Sequence, residues 1–233
     1  MMRHLTKANI IVTISNFVAS QLEQFFDVRG KRVEMIYNGV EKIVDNSASK
    51  PCGSNDIKSP FFLSISACRP SKNFHILLDM MKLMPDKNLY LVGNDNNEYG
   101  RMLRQRIEEE AITNVHLTGK VSEEEKVWFY ANCEAFLFPS SFEGFGLPVI
   151  EAMQFGKPVF SSSQTSLAEI GDSCAYFWDS LEPQAMKKLI DEKLTRFYEN
   201  PQYAAEEKRY ADTFSYNRHF EAYDRLYSTI LNK

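Results

Sequence analysis

One segment, SSFEGFGLPVIEAM at residues 140–153, joins the pattern of a strand to the pattern of a helix. The apolar run AFLF at 135–138 has the length of a buried strand, and helical spacing begins at Leu147. Gly144 and Gly146 lie between the two and let bare backbone amides approach a ligand. At a helix N-terminus, unpaired N–H groups and the helix dipole attract an anion. The turn is therefore a predicted site for a group such as a diphosphate.

Two carboxylates frame this turn. Glu143 precedes it, and Glu151 lies about one turn inside the predicted helix. A carboxylate accepts hydrogen bonds and donates none, which suits the paired hydroxyl groups of a ribose or a hexose. With the anion site, the two side chains indicate a nucleotide sugar. The alternative is that both glutamates are merely solvated, one in a turn and one on a helix face.

The rest of the chain alternates strand and helix patterns. The predicted strands are residues 8–14, 33–37, 61–66, 88–92, 115–118, 135–138, 158–160 and 176–178. The predicted helices are residues 16–26, 74–84, 100–110, 123–131, 183–198, 201–214 and 216–231, together with the helix that begins at Leu147. Regular alternation predicts an α/β fold with a parallel, doubly wound sheet and helices on both faces. Ligands of such sheets bind beyond the C-terminal ends of the strands.

Other predicted loops lie at the same edge of the sheet. The loop RPSKN at 69–73 follows a strand and carries two cations, Arg69 as a planar fork and Lys72 as a point charge. Both could neutralise a diphosphate. The sequence GKV at 119–121 ends the next strand but one, also on the ligand side.

These motifs resemble those of the family 4 retaining glycosyltransferases, which are enzymes of the two-domain GT-B type. The resemblance rests on two glutamates separated by seven residues around EGFGLP, on EAMQFGKPV at 151–159, on LAEI at 167–170 and on the P-x-K-N pattern at 70–73. It implies a Rossmann-like sheet that forms the C-terminal half of a GT-B fold. It also implies transfer of a hexose, with retention of configuration, from a UDP- or GDP-linked sugar to a saccharide or lipid-linked acceptor. The P-x-K-N pattern leans toward mannosyl transfer.

The resemblance assigns roles to individual residues. The candidate catalytic residues are Glu143, which would hold sugar hydroxyls, and Lys72 and Arg69, which would stabilise the leaving diphosphate. The candidate donor-binding residues are Gly144, Phe145, Gly146 and Leu147 through their amides, Glu151 at the ribose, and Gly119, Lys120 and Val121 at the nucleobase. No cofactor and no metal are expected, since no Asp-x-Asp stands at a strand end and the four histidines share no spacing.

The resemblance also divides the chain. Residues 1–41 resemble the end of an N-terminal domain with a remnant strand–helix–strand and the crossover, and 42–60 form a polar linker. Residues 61–213 would be the donor-binding domain, and 214–233 a helix that crosses back. The missing N-terminal domain normally supplies the acceptor pocket. The chain is therefore expected to be inactive or weakly active unless a partner domain or self-association completes it.

Composition limits the remaining function classes. The formal net charge of −4 gives no indication of nucleic-acid binding. Four widely spaced cysteines without a Cys-x-x-Cys pair favour reduced thiols and a cytoplasmic protein. No apolar run approaches the ~20 residues of a spanning helix, which leaves peripheral membrane contact open.

Three alternatives to an active transferase follow from the same sequence. The first is a non-catalytic nucleotide-sugar-binding subunit, which would bind donor without turnover. The second is a GT-B epimerase, which shares the architecture but lacks the EGFGLP core. The third is a dinucleotide-dependent oxidoreductase, which is disfavoured because no G-x-G-x-x-G follows the first strand.

Overall fold

The computed structural model describes residues 8–43, 48–51 and 57–231, which lie in two parallel sheets and the helices around them. The first sheet pairs β1 (Ile10–Thr13) with β2 (Arg32–Met35), and α1 (Asn16–Phe25) joins them. Ser15 starts α1, because its Oγ accepts a hydrogen bond from the N–H of Val18 at 3.2 Å. The predicted strand–helix–strand is thus present.

The second sheet is larger and carries helices on both faces. Its strands are β3 (Phe61–Ile65), β4 (Asn88–Val92), β5 (Val115–Gly119), β6 (Ala135–Phe138), β7 (Val159–Ser162) and β8 (Ala175–Trp178). The helices that follow α1 are α2 (Phe74–Lys82), α3 (Glu98–Glu109), α4 (Glu123–Asn132), α5 (Leu147–Gln154), α6 (Leu167–Gly171), α7 (Pro183–Glu199), α8 (Pro201–Ala211) and α9 (Tyr216–Leu231).

The strand order of this sheet is β5-β4-β3-β6-β7-β8, and all five pairings are parallel. Alternate side chains of β3 enter different cores, with Phe61 and Leu63 on one face and Phe62 on the other. The predicted doubly wound parallel sheet is confirmed. The order reverses between β3 and β6, so the loops that follow these two strands meet at the switch point where such folds bind ligands.

The segment that follows β2 contacts the 3₁₀ turn Asp212–Phe214 and the start of α9. Val40 donates its N–H to the carbonyl of Phe214 at 2.7 Å, and the ring of Tyr37 contacts the ring of Phe214 at 5.4 Å. A Cβ at Gly39 would lie 2.3 Å from Cδ1 of Tyr216, so only glycine fits where α9 begins. The domain boundaries stay a prediction, and residues 1–7, 44–47, 52–56 and 232–233, including Cys52 and parts of the polar linker, lie outside the described residues.

No helix in the described ranges combines the length and the apolarity that crossing a membrane would need. The thiols of Cys68, Cys133 and Cys174 are free.

One buried acid on α8 is unusual. Glu207 is only 2% exposed, and neither of its carboxyl oxygens has a hydrogen-bond partner within normal distance among the described residues. Burial raises the pKa of this carboxyl well above its usual range, and the amide of Val159 only partly opposes the shift. At pH values between the pKa of this carboxyl in the unfolded chain and its higher pKa in the folded chain, the folded chain therefore retains a proton that the unfolded chain loses.

Replacing Glu207 by methionine is expected to raise the free energy of unfolding at pH 8 by about 1–3 kcal/mol, because the variant buries no polar group without a partner. The wild-type carboxyl disfavours folding increasingly as pH rises above its unfolded pKa, so the gain should be smaller at pH 5. Urea denaturation at both pH values measures the difference. The matched control is Glu206→Met on the exposed side of α8, and an unchanged or less stable Glu207→Met at pH 8 would contradict the expectation.

Candidate functional site

The turn between β6 and α5 has a backbone geometry that requires glycine at position 146. Gly146 precedes the first residue of α5 and has a φ of 117°, a conformation that side chains strongly disfavour. A Cβ at this position would also lie 2.9 Å from Cδ2 of the buried Leu167. Only glycine therefore fits at the start of α5, and no side chain covers the backbone at this position.

The carbonyl oxygens of the turn are held from the protein side. Ser15 Oγ donates to the carbonyl of Gly144 at 2.8 Å. Ser166 Oγ, which is fully buried, lies 3.0 Å from the carbonyl oxygen of Glu143 and 2.9 Å from that of Phe145. These contacts orient the peptide planes of the turn.

The backbone N–H groups of residues 144–147 are, by contrast, unused. Within the described ranges, no acceptor takes a hydrogen bond from any of these four amides. These amides lie at the N-terminal end of α5, just before its first turn and at its first residue, where the helix dipole adds partial positive charge. Unpaired amides at a helix N-terminus can bind an anion, and anion binding at this turn stays a prediction.

A second loop is fastened to this turn. The loop at 69–73 contains a short 3₁₀ helix, Pro70–Lys72, and ends at Asn73, which has a φ of 55°. The side-chain amide of Asn73 donates to the carbonyl of Pro139 at 2.9 Å, and the N–H of Ser141 donates to the carbonyl of Ser71 at 2.8 Å. The loops after β3 and β6 therefore form one continuous rim.

Lys72 and Glu143 meet across this rim. Their side chains form an ion pair and are only 15% and 14% exposed. The Lys72 ammonium also lies 5.4 Å from the ring centroid of Phe138, and the N–H of Glu143 donates to Thr165 Oγ1 at 3.0 Å. The structure thus brings the predicted phosphate-binding cation and the predicted sugar-binding carboxylate into direct contact beside the unused amides.

Glu151 lies on the second turn of α5, and its carboxylate is oriented by α4. Tyr130 Oη donates to Glu151 Oε2 at 2.8 Å, and Lys126 Nζ lies 3.4 Å from Oε1. Burial first, and then the Glu151 carboxylate, raise the pKa of Tyr130 well above its ordinary value, so the phenol stays a donor. Glu151 is therefore a fixed carboxylate and not a solvated one.

The other predicted site residues are less closely associated. Arg69 is exposed, and its guanidinium has no hydrogen-bond or ion-pair partner in the described part of the chain. It lines a separate cavity of about 730 Å³ with Cys68, Tyr99 and Met102. The structure therefore shows no contact between Arg69 and the Lys72–Glu143 pair.

The loop after β5 contributes backbone. Gly119 has a φ of 73°, and its carbonyl accepts from the N–H of Gly93 at 2.9 Å. Lys120 is exposed and Val121 is half-buried against the core. In the turn itself, Phe145 is 4% exposed and packs on Tyr37, so only its amide is available to a ligand.

Comparison with known proteins shows which family the chain belongs to. A family model described as "Glycosyl transferases group 1" matches residues 49–212, which is more than half of the chain. The chain belongs to this family. Its α/β fold with a parallel six-stranded sheet matches solved glycosyltransferases of the GT-B type, as predicted.

Two curated relatives show the range of similarity within the group 1 glycosyl transferases. The chain is 27% identical over 210 residues to the serotype-specific mannosyltransferase WbdA of Escherichia coli, which covers 81% of the chain and 25% of WbdA. It is 26% identical over 253 residues to the O-antigen chain mannosyltransferase C of Escherichia coli, covering 98% of the chain and 63% of that relative. The chain thus spans between a quarter and two thirds of their lengths.

A solved structure has the same fold. Anabaena HepE, determined in complex with UDP and glucose, superposes with a TM-score of 0.79 at 20% identity, covering 95% of this chain and 63% of HepE.

Sequence reasoning missed three residues of this candidate site. Tyr130 and Lys126 hold Glu151, and Ser166 holds the turn. Positions 126 and 130 are four apart and so share one face of α4, which was an available signal. Ser166 carried none, because its partners lie about twenty residues away in the sequence.

Proposed function

We propose that this chain is the donor-binding half of a retaining glycosyltransferase, which transfers a hexose from a nucleoside-diphosphate sugar to a saccharide or lipid-linked acceptor. The observation that carries the proposal is the Lys72–Glu143 pair beside the four unused amides of residues 144–147. A nucleoside-diphosphate sugar combines a diphosphate with adjacent hydroxyl groups, and the rim supplies donors for the first and an acceptor for the second.

The proposed reaction depends on stabilising the leaving group. As the bond between the sugar and the diphosphate breaks, negative charge grows on the diphosphate. Lys72 and the amides of the turn stabilise this charge more strongly in the transition state than in the bound donor. Arg69 is exposed and without a partner among the described residues, so it is free to turn toward the phosphate as a second cation. No metal and no cofactor take part in this proposal.

Glu143 and Glu151 serve the two sugars of the donor. When a phosphate oxygen takes Lys72, the Glu143 carboxylate is released to accept hydrogen bonds from hexose hydroxyls. Glu151 already has a fixed orientation through Tyr130 and accepts hydrogen bonds from the ribose hydroxyls. The acceptor attacks on the face from which the diphosphate leaves, and neither glutamate is required as a nucleophile.

The similarity findings support a choice of donors to test. Both curated relatives are described as mannosyltransferases, which supports a mannosyl donor. The HepE structure contains UDP and glucose, which supports a uridine donor in the same fold. The loop at 119–121 would face the base with its backbone.

Calorimetric titration with UDP, GDP, ADP and CMP tests the site directly, and one nucleotide should bind far more tightly than the others. Glu151→Gln is expected to weaken binding of that nucleotide at least tenfold, because a charged hydrogen bond to the ribose contributes about 1.5–3 kcal/mol. Glu143→Gln should leave the nucleotide affinity within about threefold and instead lower the affinity for the intact nucleotide sugar. Glutamine is preferred to alanine at both positions, since it keeps a partner for Tyr130 and for Lys72.

The control for both variants is Glu199→Gln, an exposed residue at the end of α7. If no nucleotide binds the wild-type chain, or if both site variants bind like the control, the proposed site is wrong.

A second candidate is a nucleotide-sugar-binding subunit without turnover of its own. It is favoured by large apolar side chains exposed on α1 and α9, namely Phe25 at 62%, Phe220 at 61% and Leu231 at 83%. Such surfaces suit contact with a partner domain, with a second copy or with a membrane surface. Release of nucleoside diphosphate from the donor, measured with and without added saccharide acceptors, separates the two candidates.

A further inference from the structure

A short segment between β7 and α6 supports the donor-binding turn. Thr165 Oγ1 accepts from the N–H of Glu143, Ser166 holds two carbonyls of the turn, and Leu167 packs where Gly146 has no side chain. This support segment, residues 165–169, continues into α6 and ends at Glu169.

Glu169 extends the same segment toward the first sheet. Its Oε1 accepts from the N–H of Asn16 and from the side-chain amide of Asn16, each at 2.8 Å, and its Oε2 accepts from the N–H of Phe17 at 3.2 Å. Tyr37 Oη donates to Oε1 at 2.8 Å. One carboxylate therefore receives four hydrogen bonds, three of them from the first turn of α1.

The position of this carboxylate explains its partners. The first N–H groups of a helix lack acceptors within the helix and carry partial positive charge, so a carboxylate placed there forms charge-assisted hydrogen bonds. The donor and acceptor residues are separated by more than 130 positions in the sequence. The contact thus fixes one part of the fold relative to another and does not merely cap a local helix.

The same first turn of α1 lies directly on the donor-binding turn. Ser15 donates to the carbonyl of Gly144, and a Cβ at Gly144 would lie 3.5 Å from Ile14 and 3.7 Å from Val18. The rings of Phe17 and Phe142 meet edge to face at 6.1 Å. Any displacement of α1 therefore changes the contacts that its first turn makes with the turn carrying Glu143.

We propose that Glu169 is a positioning residue for sugar transfer: it holds the first turn of α1, and with it the first sheet, at a fixed distance from the donor-binding turn. This inference rests on the proposed function, because it assigns α1 to the acceptor-facing side of the cleft. Glu169 itself bonds to Asn16, Phe17 and Tyr37 and forms no hydrogen bond or ion pair with Lys72, Glu143 or Glu151. Its effect on transfer is exerted through α1.

The expected consequences of losing the contact are specific. Glu169→Ala frees three donors of the α1 first turn, and Glu169→Gln retains one acceptor oxygen and should have an intermediate effect. Nucleotide affinity should stay within about twofold of wild type, because the amides and cation of the turn are unaltered. Turnover of nucleotide sugar should fall about 10- to 100-fold, since a misplacement of about 1 Å is enough for such a loss.

Hydrogen exchange of the whole chain, followed by mass spectrometry on peptides that cover residues 14–20, provides a readout independent of activity. These peptides should exchange at least tenfold faster in Glu169→Ala, less so in Glu169→Gln, and at the wild-type rate in Glu199→Gln. Calorimetry with UDP and GDP and release of nucleoside diphosphate from the matching sugar donor complete the set.

Each result has a defined meaning. Faster exchange at residues 14–20 with unchanged nucleotide affinity and reduced turnover supports the proposal. Unchanged exchange overturns it, and so does a loss of nucleotide affinity as large as the loss of turnover, which would make Glu169 part of the donor site. If the wild-type chain binds no nucleotide, the proposed function fails and the positioning role in transfer fails with it, while faster exchange would still show that Glu169 holds α1.

Discussion

Replacing Lys72 by methionine is expected to weaken nucleoside diphosphate binding at least tenfold and to slow sugar transfer by about 100- to 1,000-fold. Methionine keeps most of the apolar stem that passes the Phe138 ring but removes the ammonium group. Lys72 is the cation that the structure places on Glu143 at the rim, and its side chain is only 15% exposed. Water therefore screens it poorly, and a charge there acts more strongly than on the open surface.

The loss should be larger for transfer than for binding, since negative charge on the diphosphate increases in the transition state. Calorimetry with UDP and GDP measures binding, and release of nucleoside diphosphate from the sugar donor measures turnover. Lys187→Met is the matched control, because Lys187 forms an exposed pair with Asp191 on α7. If Lys72→Met keeps wild-type nucleotide affinity and turnover, the rim is not the phosphate site.

Replacing Gly93 by alanine is expected to destabilise the fold by at least ~3 kcal/mol. Gly93 follows β4 with a φ of 144°, and a Cβ built there would lie 2.0 Å from the carbonyl oxygen of Ser66. Because that oxygen belongs to the backbone, no rotation of a side chain can relieve the contact. The N–H of Gly93 donates to the carbonyl of Gly119, so the loops that follow β3, β4 and β5 would all have to shift.

Urea denaturation of the variant measures this effect, with nucleotide affinity as a second readout because the shifted loops border the proposed site. Gly30→Ala separates the clash from the strain. Gly30 also has a positive φ, of 75°, but a Cβ there meets nothing within 4 Å, so the loss should be only about 1–2 kcal/mol. Equal losses in the two variants would show that the contact with Ser66 is unimportant.

Strand and helix patterns predicted most of this fold because the sheet is buried on both faces. Runs such as AFLF at 135–138 can be satisfied only inside a covered sheet, and Asn88–Val92 and Tyr216–Leu231 have the predicted bounds. The turn at 143–147 could also be predicted, since its glycines and the helix start impose a local geometry that needs no information from the rest of the chain.

Contacts between distant parts of the chain could not be predicted in this way. The pairing of Lys72 with Glu143 depends on β3 and β6 being neighbours, which periodicity does not specify. The support of Glu151 by Tyr130 depends on how α4 packs beside α5. The surroundings of Arg69 could not be predicted either: it lines a cavity with Cys68, Tyr99 and Met102, its guanidinium forms no hydrogen bond or ion pair with the Lys72–Glu143 pair, and its role toward a diphosphate stays a prediction.

The ion pair at the rim also favours one order of binding in the proposed donor site, in which the diphosphate engages Lys72 before the hexose engages Glu143. While Lys72 neutralises Glu143, one oxygen of this carboxylate is engaged, so fewer of its lone pairs are open to the hydroxyl groups of a free monosaccharide. A diphosphate releases that acid by supplying a replacement anion. In the proposed site, a free monosaccharide would therefore bind more weakly than a sugar that arrives with its phosphates.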